Sequence, residues 1–243
     1  FLITFNSFEY QNKAFTWLLN KSFNIRLVMT KVKVSILMAA FNMPFALSKR
    51  AIDSVLNQDF LDFELLVIDD GSSLEHSPSL LTYCMQHHQK VSYIWSKNQG
   101  QSFAINRGVH FALGEYITII DADDEYKSNH LSTCIQEMKD VDLISSLTET
   151  VVSSEEDFYV ADKHDLSNNI HVDDCILFAT LFGKNEVFKR IGFENRYSAD
   201  SYFYERAAQQ FVVKKALSRT YIYYRNIDNS ITARYKQDRI LSN

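Results

Sequence analysis

The chain has 243 residues, of which 46% are hydrophobic and 23% charged, and a formal net charge of −5 at pH 7. With only 6 Gly and 2 Pro, collagen-like, linker-rich and low-complexity designs are excluded. The absence of a basic block or an aromatic-interleaved basic stripe argues against a nucleic-acid partner.

Residues 1–28 are rich in Phe and Asn, and Glu9, Gln11, Asn12 and Lys13 interrupt every apolar run before it reaches bilayer length. They also lack the charged start, apolar core and cleavage site of a signal peptide. Met29 stands just before the first convincing strand, so the reading expects an appendage over 1–28 and a folded domain over 29–243.

From residue 33, short β-rich runs alternate with helical-period segments. Val34-Ser35-Ile36-Leu37-Met38 reads as a strand, and Asn42 and Pro44 open a helix with Ala51, Ile52, Val55 and Leu56 at helical spacing. Phe63 to Ile68 is a second strand, running into the turn-rich carboxylate loop Asp69-Asp70-Gly71-Ser72-Ser73. A helix around 75–89 leads to strand Val91 to Trp95. Ser102 opens another helix whose Phe103, Ala104, Gly108, Phe111 and Ala112 share a small apolar face. Tyr116 to Ile120 is a strand that ends in Asp121-Ala122-Asp123-Asp124. A helix with Leu131, Ile135 and Met138 precedes a strand from Val141 to Leu147. Beyond 150 the alternation stops: 153–174 read as a polar loop or irregular hairpin, 184–191 and 200–210 as helices, and Thr220 to Tyr224 as β-structure. Cys84, Cys134 and Cys175 form no metal or disulfide spacing and read as reduced thiols of a cytosolic protein.

Nearly all-apolar strands alternating with helices predict an α/β fold, a doubly wound, mostly parallel central sheet flanked by helices. Ligands of such sheets bind beyond the carboxyl ends of the strands. Asp69-Asp70 and Asp121 to Asp124 both fall at such ends, on one rim. Three carboxylates within four residues repel one another, and a hard divalent cation such as Mg²⁺ or Mn²⁺ relieves that repulsion. The competing reading is a solvated acidic turn that caps the next helix. Neither GxxxxGK nor GxGxxG is present, so no Gly-rich loop cradles a phosphate. Gly71, Gly100, Gly108 and Gly114 cluster ahead of the acidic run, as expected of backbone that passes close to a ligand.

Val34 to Asn42, then Ser54-Val55-Leu56-Asn57-Gln58, then Glu64 to Ser72 together resemble the opening of a family 2 glycosyltransferase of GT-A fold. Asn98-x-Gly100, Ala104-x-Asn106-x-Gly108 and Gly114-Glu115-Tyr116-Ile117 through Asp121-x-Asp123-Asp124 continue in that family's order, over roughly 32–232. The resemblance implies a metal-dependent, inverting transfer from a nucleotide-diphosphate sugar to a carbohydrate or lipid-linked acceptor. With no apolar run of bilayer length in view, the expected place is the cytoplasm or the cytoplasmic face of the membrane. The resemblance also implies donor-binding positions at Ala39, Phe41, Asp70, Asn98, Gly100, Asn106, Asp121 and Arg225, and a Mg²⁺ or Mn²⁺ ligand at Asp123. The segments Gly192-Phe193-Glu194 and Ser198 to Arg206 match the part that carries the general base, which makes Asp200 that base. Read alone, Asp200 is an ordinary helix N-cap. Asn229-Ser230-Ile231-Thr232 resemble the family's closing segment. Ala39 and Ala40 stand where Thr or Ser is frequent, Lys97 and Ile105 where Arg is, and Ala199 where Glu is usual. The rival expectation is a non-catalytic sugar-nucleotide-binding or partner protein that keeps the fold.

Overall fold

A computed structural model describes residues 32–163, 165 and 167–226. The expected appendage and the closing segment at 229–232 lie outside these residues. The element order is β1 (Val34–Ala40), α1 (Phe45–Leu56), β2 (Phe63–Asp69), α2 (Ser77–Gln86), β3 (Val91–Trp95), α3 (Gln101–Phe111) and β4 (Tyr116–Ile119). β5 (Glu125–Tyr126), α4 (His130–Glu137), β6 (Leu143–Ser145), β7 (Thr148–Val151), β8 (Tyr159–Ala161) and β9 (Asn169–His171) follow. The remainder comprises β10 (Leu181–Lys184), α5 (Asn185–Ile191), α6 (Ala199–Ala208), β11 (Val213–Lys215) and β12 (Tyr221–Tyr224).

Seven strands form the central sheet in the order β11-β6-β10-β4-β1-β2-β3. β1 pairs in parallel with β2 and β4, β2 with β3, and β6 with β11. β10 alone runs antiparallel, between β4 and β6. The chain is therefore the α/β fold that the sequence pattern predicts. β1 explains why: Val34, Ile36 and Met38 enter the core on one face, and Leu37 enters the core on the other. A strand buried on both faces has no polar side, so its sequence is an apolar run rather than an alternation.

β2 and β4 flank β1 on opposite sides, although β2 is the next strand along the chain and β4 comes only after β3. That reversal of strand order opens a crevice at the carboxyl ends of β1 and β4. A second sheet, β5-β12-β7, stands beside it, with β12 antiparallel to β5 and parallel to β7. β8 and β9 pair antiparallel within 153–174, the hairpin of the two alternatives, loop or irregular hairpin, that the sequence left open.

β10 is the main element that periodicity did not announce. Leu181-Phe182-Gly183-Lys184 is short and carries Gly and Lys, so it has neither length nor alternation to mark it. Pairing on both edges makes it a strand. Cys84 and Cys134 are buried, Cys175 is half-buried, and all three are free. Among the described residues no helix is long and apolar enough to cross a membrane.

Candidate active site

The rim is assembled from the bottom by Asp69, the last residue of β2. It is fully buried. One carboxylate oxygen accepts the Ser72 N–H at 2.7 Å, and the other accepts the hydroxyls of Ser77, at 2.7 Å, and Tyr93. Both oxygens of Asp69 are therefore engaged in shaping its own turn. Asp70 accepts the N–H of Gln99 at 3.0 Å and of Gly100 at 2.7 Å, which pins the 96–100 loop to the end of β2. Burial raises the Asp70 carboxyl, while those two N–H groups oppose the rise. The loops after β1 and β2 are tied together by the N–H of Asn42 to Ser72 Oγ, 2.9 Å, and the N–H of Ser73 to Asn42 Oδ1, 2.8 Å. Gly71 and Gly100 take φ of 83° and 96°, values that disfavour a side chain. Phe41 and Asn98 are exposed on this rim and Ala39 is half-buried.

Glycine does not mark the cleft throughout. A Cβ on Gly114 would lie 2.5 Å from the main-chain N of Ser35, and one on Gly108 2.9 Å from Ile68 Cδ1. Those two positions serve the packing of α3 and β4 on β1 and β2, which corrects the expectation that all four rim-side glycines face a ligand.

Beyond β4 the acidic run divides its labour. Asp124 is buried, accepting the Tyr221 hydroxyl at 2.7 Å and the Tyr224 N–H at 2.8 Å. It is a bolt between the acidic turn and β12. The Tyr221 oxygen also accepts the Asp121 N–H at 3.2 Å. Among the described residues Asp121 has one side-chain partner, the Gln101 amide, which donates to Oδ1 at 2.9 Å. Burial first, then the nearby charges of Asp123 and Asp200, push the Asp121 carboxyl up to about 7. Burial also raises Asp123, against the field of Arg50.

Asp200 reaches the same charge cluster from α6. Ser198, at φ 57°, turns the chain into the helix, so Asp200 is the second helical residue and not the N-cap. Its oxygens accept the N–H of Ser201 at 2.8 Å and of Phe178 at 3.1 Å. Burial pushes it up to about 6, and those N–H groups and Lys163 oppose the rise. Asn106 acts at one remove: its amide donates to Phe193 O at 2.7 Å and accepts Phe193 N–H at 2.8 Å. Phe193 stacks on Phe203 of α6 with ring centroids 4.2 Å apart. Arg225, just past β12, donates its N–H to Val151 O at 2.9 Å. Its Nε and Nη1 are buried and find no hydrogen-bond partner among the described residues.

The charges of Asp123 and Asp200 thus both act on Asp121, and Ala39, Phe41, Asp70, Asn98 and Gly100 fall on the adjoining rim. Gln101 and Arg50, which donates to the carbonyl of Asp123, escaped sequence reasoning. Gln101 had a signal, as the first helical residue after Gly100. Arg50 had none, because its partner lies 73 residues away. Among the described residues no group of three or more His, Cys, Asp or Glu side chains is arranged to hold a metal.

The profile of glycosyl transferase family 2 matches residues 35–198. A GalNAc(5)-diNAcBac-PP-undecaprenol beta-1,3-glucosyltransferase of Campylobacter jejuni is 38% identical over 106 residues, 43% of this chain and 34% of that protein. Glycosyltransferase GlyG of Streptococcus pneumoniae is 32% identical over 111 residues, 44% of this chain and 36% of its own. The chain therefore spans about a third of the length of these curated relatives. Among solved structures, mannosyltransferase PcManGT from Pyrobaculum calidifontis, in complex with GDP-Man and Mn²⁺, superposes with a TM-score of 0.65 at 17% identity. That match covers 95% of this chain and 67% of the other. S. aureus TarS 1-349 in complex with UDP-GlcNAc gives 0.64 at 17% identity, over 83% of this chain and 60% of the other. Both likenesses bear on the fold, which is GT-A-like.

Proposed function

The chain belongs to glycosyl transferase family 2, and on that premise we propose that it transfers a sugar from a nucleotide-diphosphate donor to a hydroxyl of a carbohydrate or lipid-linked acceptor, with inversion at the anomeric carbon. One observation carries the reading. A buried carboxylate from α6, Asp200, lies close enough for its charge, with that of Asp123, to act on Asp121 at the rim where strand order reverses. The donors named with the structural neighbours, GDP-Man and UDP-GlcNAc, support the donor class. The undecaprenol in the name of the C. jejuni relative supports a lipid-linked acceptor, met by a domain over 29–243 at the cytoplasmic face of a membrane.

Asp70 and the 96–100 loop, with Ala39, Phe41, Asn98 and Gly100, form the surface for the base and ribose. Arg225 brings two buried guanidinium nitrogens that have no hydrogen-bond partner among the described residues, and a diphosphate supplies the acceptors such buried donors require. Asp123, with Asp121 beside it, suits a Mg²⁺ or Mn²⁺ ion. Their carboxyls are raised by burial and, at Asp121, by crowding, and two protein oxygens match ions that take further ligands from phosphate and water. When bound, the ion supplies Lewis-acid stabilisation of the departing nucleotide diphosphate.

Asp200 supplies the base. With a pKa near 6 it is largely ionised at neutral pH, yet more basic than an ordinary carboxylate. It takes the proton of the acceptor hydroxyl while that oxygen attacks the anomeric carbon from the face opposite the nucleotide. The bond from that carbon to the diphosphate oxygen breaks, and its electron pair leaves with the nucleotide diphosphate. Asn106 and the Phe193–Phe203 stack hold α6, and hence Asp200, in place.

The test is to incubate the chain with Mn²⁺, a panel of UDP- and GDP-sugars and an array of acceptors. Nucleotide diphosphate is expected to be released with one donor, to stop with EDTA, and to yield a product whose anomeric configuration by NMR is opposite to the donor's. Donor binding without release across all acceptors overturns the reading in favour of a non-catalytic nucleotide-sugar-binding or partner protein.

A further inference from the structure

Arg50 projects from α1 and touches three residues on two separate parts of the chain. Its Nη2 donates to the main-chain oxygen of Asp123. Its Nε lies 3.3 Å from Glu125 Oε1, and the guanidinium sits 4.0 Å from the centroid of the Tyr224 ring. The Tyr224 hydroxyl donates to the same Glu125 oxygen at 2.8 Å, which closes the set on itself. We propose that Arg50 is a positioning residue that holds the Asp123 peptide and so aims its carboxylate at the divalent cation, an inference that rests on the metal reading of Asp123.

The acidic turn needs such a hold. Asp124 fixes one end of it through Tyr221 and the Tyr224 N–H, and Gln101 steadies Asp121. Asp123, between them, is gripped from the α1 side by Arg50. Arg50 also lines a groove of about 480 Å³ with Lys49, Asp53 and Asn57, but its Nε is buried and the guanidinium lies against Tyr224. Its contacts fix it, and they use features a lysine lacks: a planar fork that donates in one direction while stacking in another. Charge alone predicts the opposite sign. A cation beside Asp123 repels a metal ion, so deleting the charge without disturbing the peptide strengthens metal binding. Loss of a group that orients a metal ligand weakens it, by about 10- to 100-fold.

Those opposed signs decide the matter. Mn²⁺ is titrated into the 243-residue chain in the presence of GDP, and separately of UDP, with binding to the chain read as the loss of free-ion EPR signal beyond that caused by the nucleotide alone. Arg50→Met, which keeps an apolar stem, is expected to raise the half-saturating Mn²⁺ concentration about tenfold or more. Arg50→Lys, which keeps the charge but not the fork, is expected to weaken binding as well, and carries the prediction if the Met variant does not fold. Unchanged or tighter Mn²⁺ binding in either folded variant, with Asp123→Asn losing it, overturns the role of Arg50 alone. No Mn²⁺ binding by the unaltered chain, or full binding by Asp123→Asn, overturns the metal reading and the role of Arg50 with it.

Discussion

Asp200 owes its chemistry to where α6 begins. A carboxylate in the first turn of an exposed helix is normally kept ionised by free N–H groups. Here the Phe178 and Ser201 N–H groups do bind it, but burial outweighs them and leaves the group near 6. The consequence is a pH profile. Asp200 works as a base only when ionised, so kcat/KM for the acceptor, at saturating donor and Mn²⁺, is expected to fall about tenfold per pH unit below roughly 6. A rate that holds down to about 4, the ordinary value for an exposed aspartate, would contradict the assignment. The sequence offered the segment around Asp200 but not its surroundings. Phe178 comes from the turn before β10, a strand that periodicity did not reveal, and no spacing in the sequence connects the two. Asp124 tells the same story: in sequence it is one of three similar carboxylates, and only the return of β12 makes it a structural bolt.

Elements with many sequence-local features were the readable ones. β1, β2 and β4 are apolar runs because they are buried on both faces, and their order along the chain placed the two acidic loops on one rim. β5, β10 and β11 are two to four residues long, and their strand character comes from distant partners. The glycines divide similarly. Gly108 lies inside α3, where a Cβ meets the ends of Ile68 and Leu37, side chains that yield by a few tenths of an ångström. Gly114 faces main chain on two sides, Ser35 N at 2.5 Å and Tyr116 O at 2.7 Å, neither of which yields cheaply. Gly108→Ala is expected to stay within about 1 kcal/mol of the parent, because the gain in helix propensity offsets the crowding. Gly114→Ala is expected to cost about 3 kcal/mol, at the upper end for overpacking. Urea unfolding of the two variants checks this, and equal costs would show that the Gly114 backbone can move aside.

For the molecule as a whole, the crossing of strand order at β1 is what joins sequence to chemistry. It puts the ends of β1, β2, β3 and β4 on one rim, and the antiparallel insertion of β10 then brings the chain back to present α6 and Asp200 to it. The first half of this arrangement was legible, because parallel strands share a direction and the carboxylate loops follow them. The second half was not, because it depends on β10 pairing with β4 and β6. The central claim is that Asp200 performs chemistry and does not merely support the fold. Isothermal titration of donor and Mn²⁺ beside steady-state turnover, for the parent chain and Asp200→Asn, tests it most directly. Donor affinity within about threefold of the parent, with kcat reduced about 100-fold or more, is the predicted result. Turnover that survives in Asp200→Asn would contradict the account.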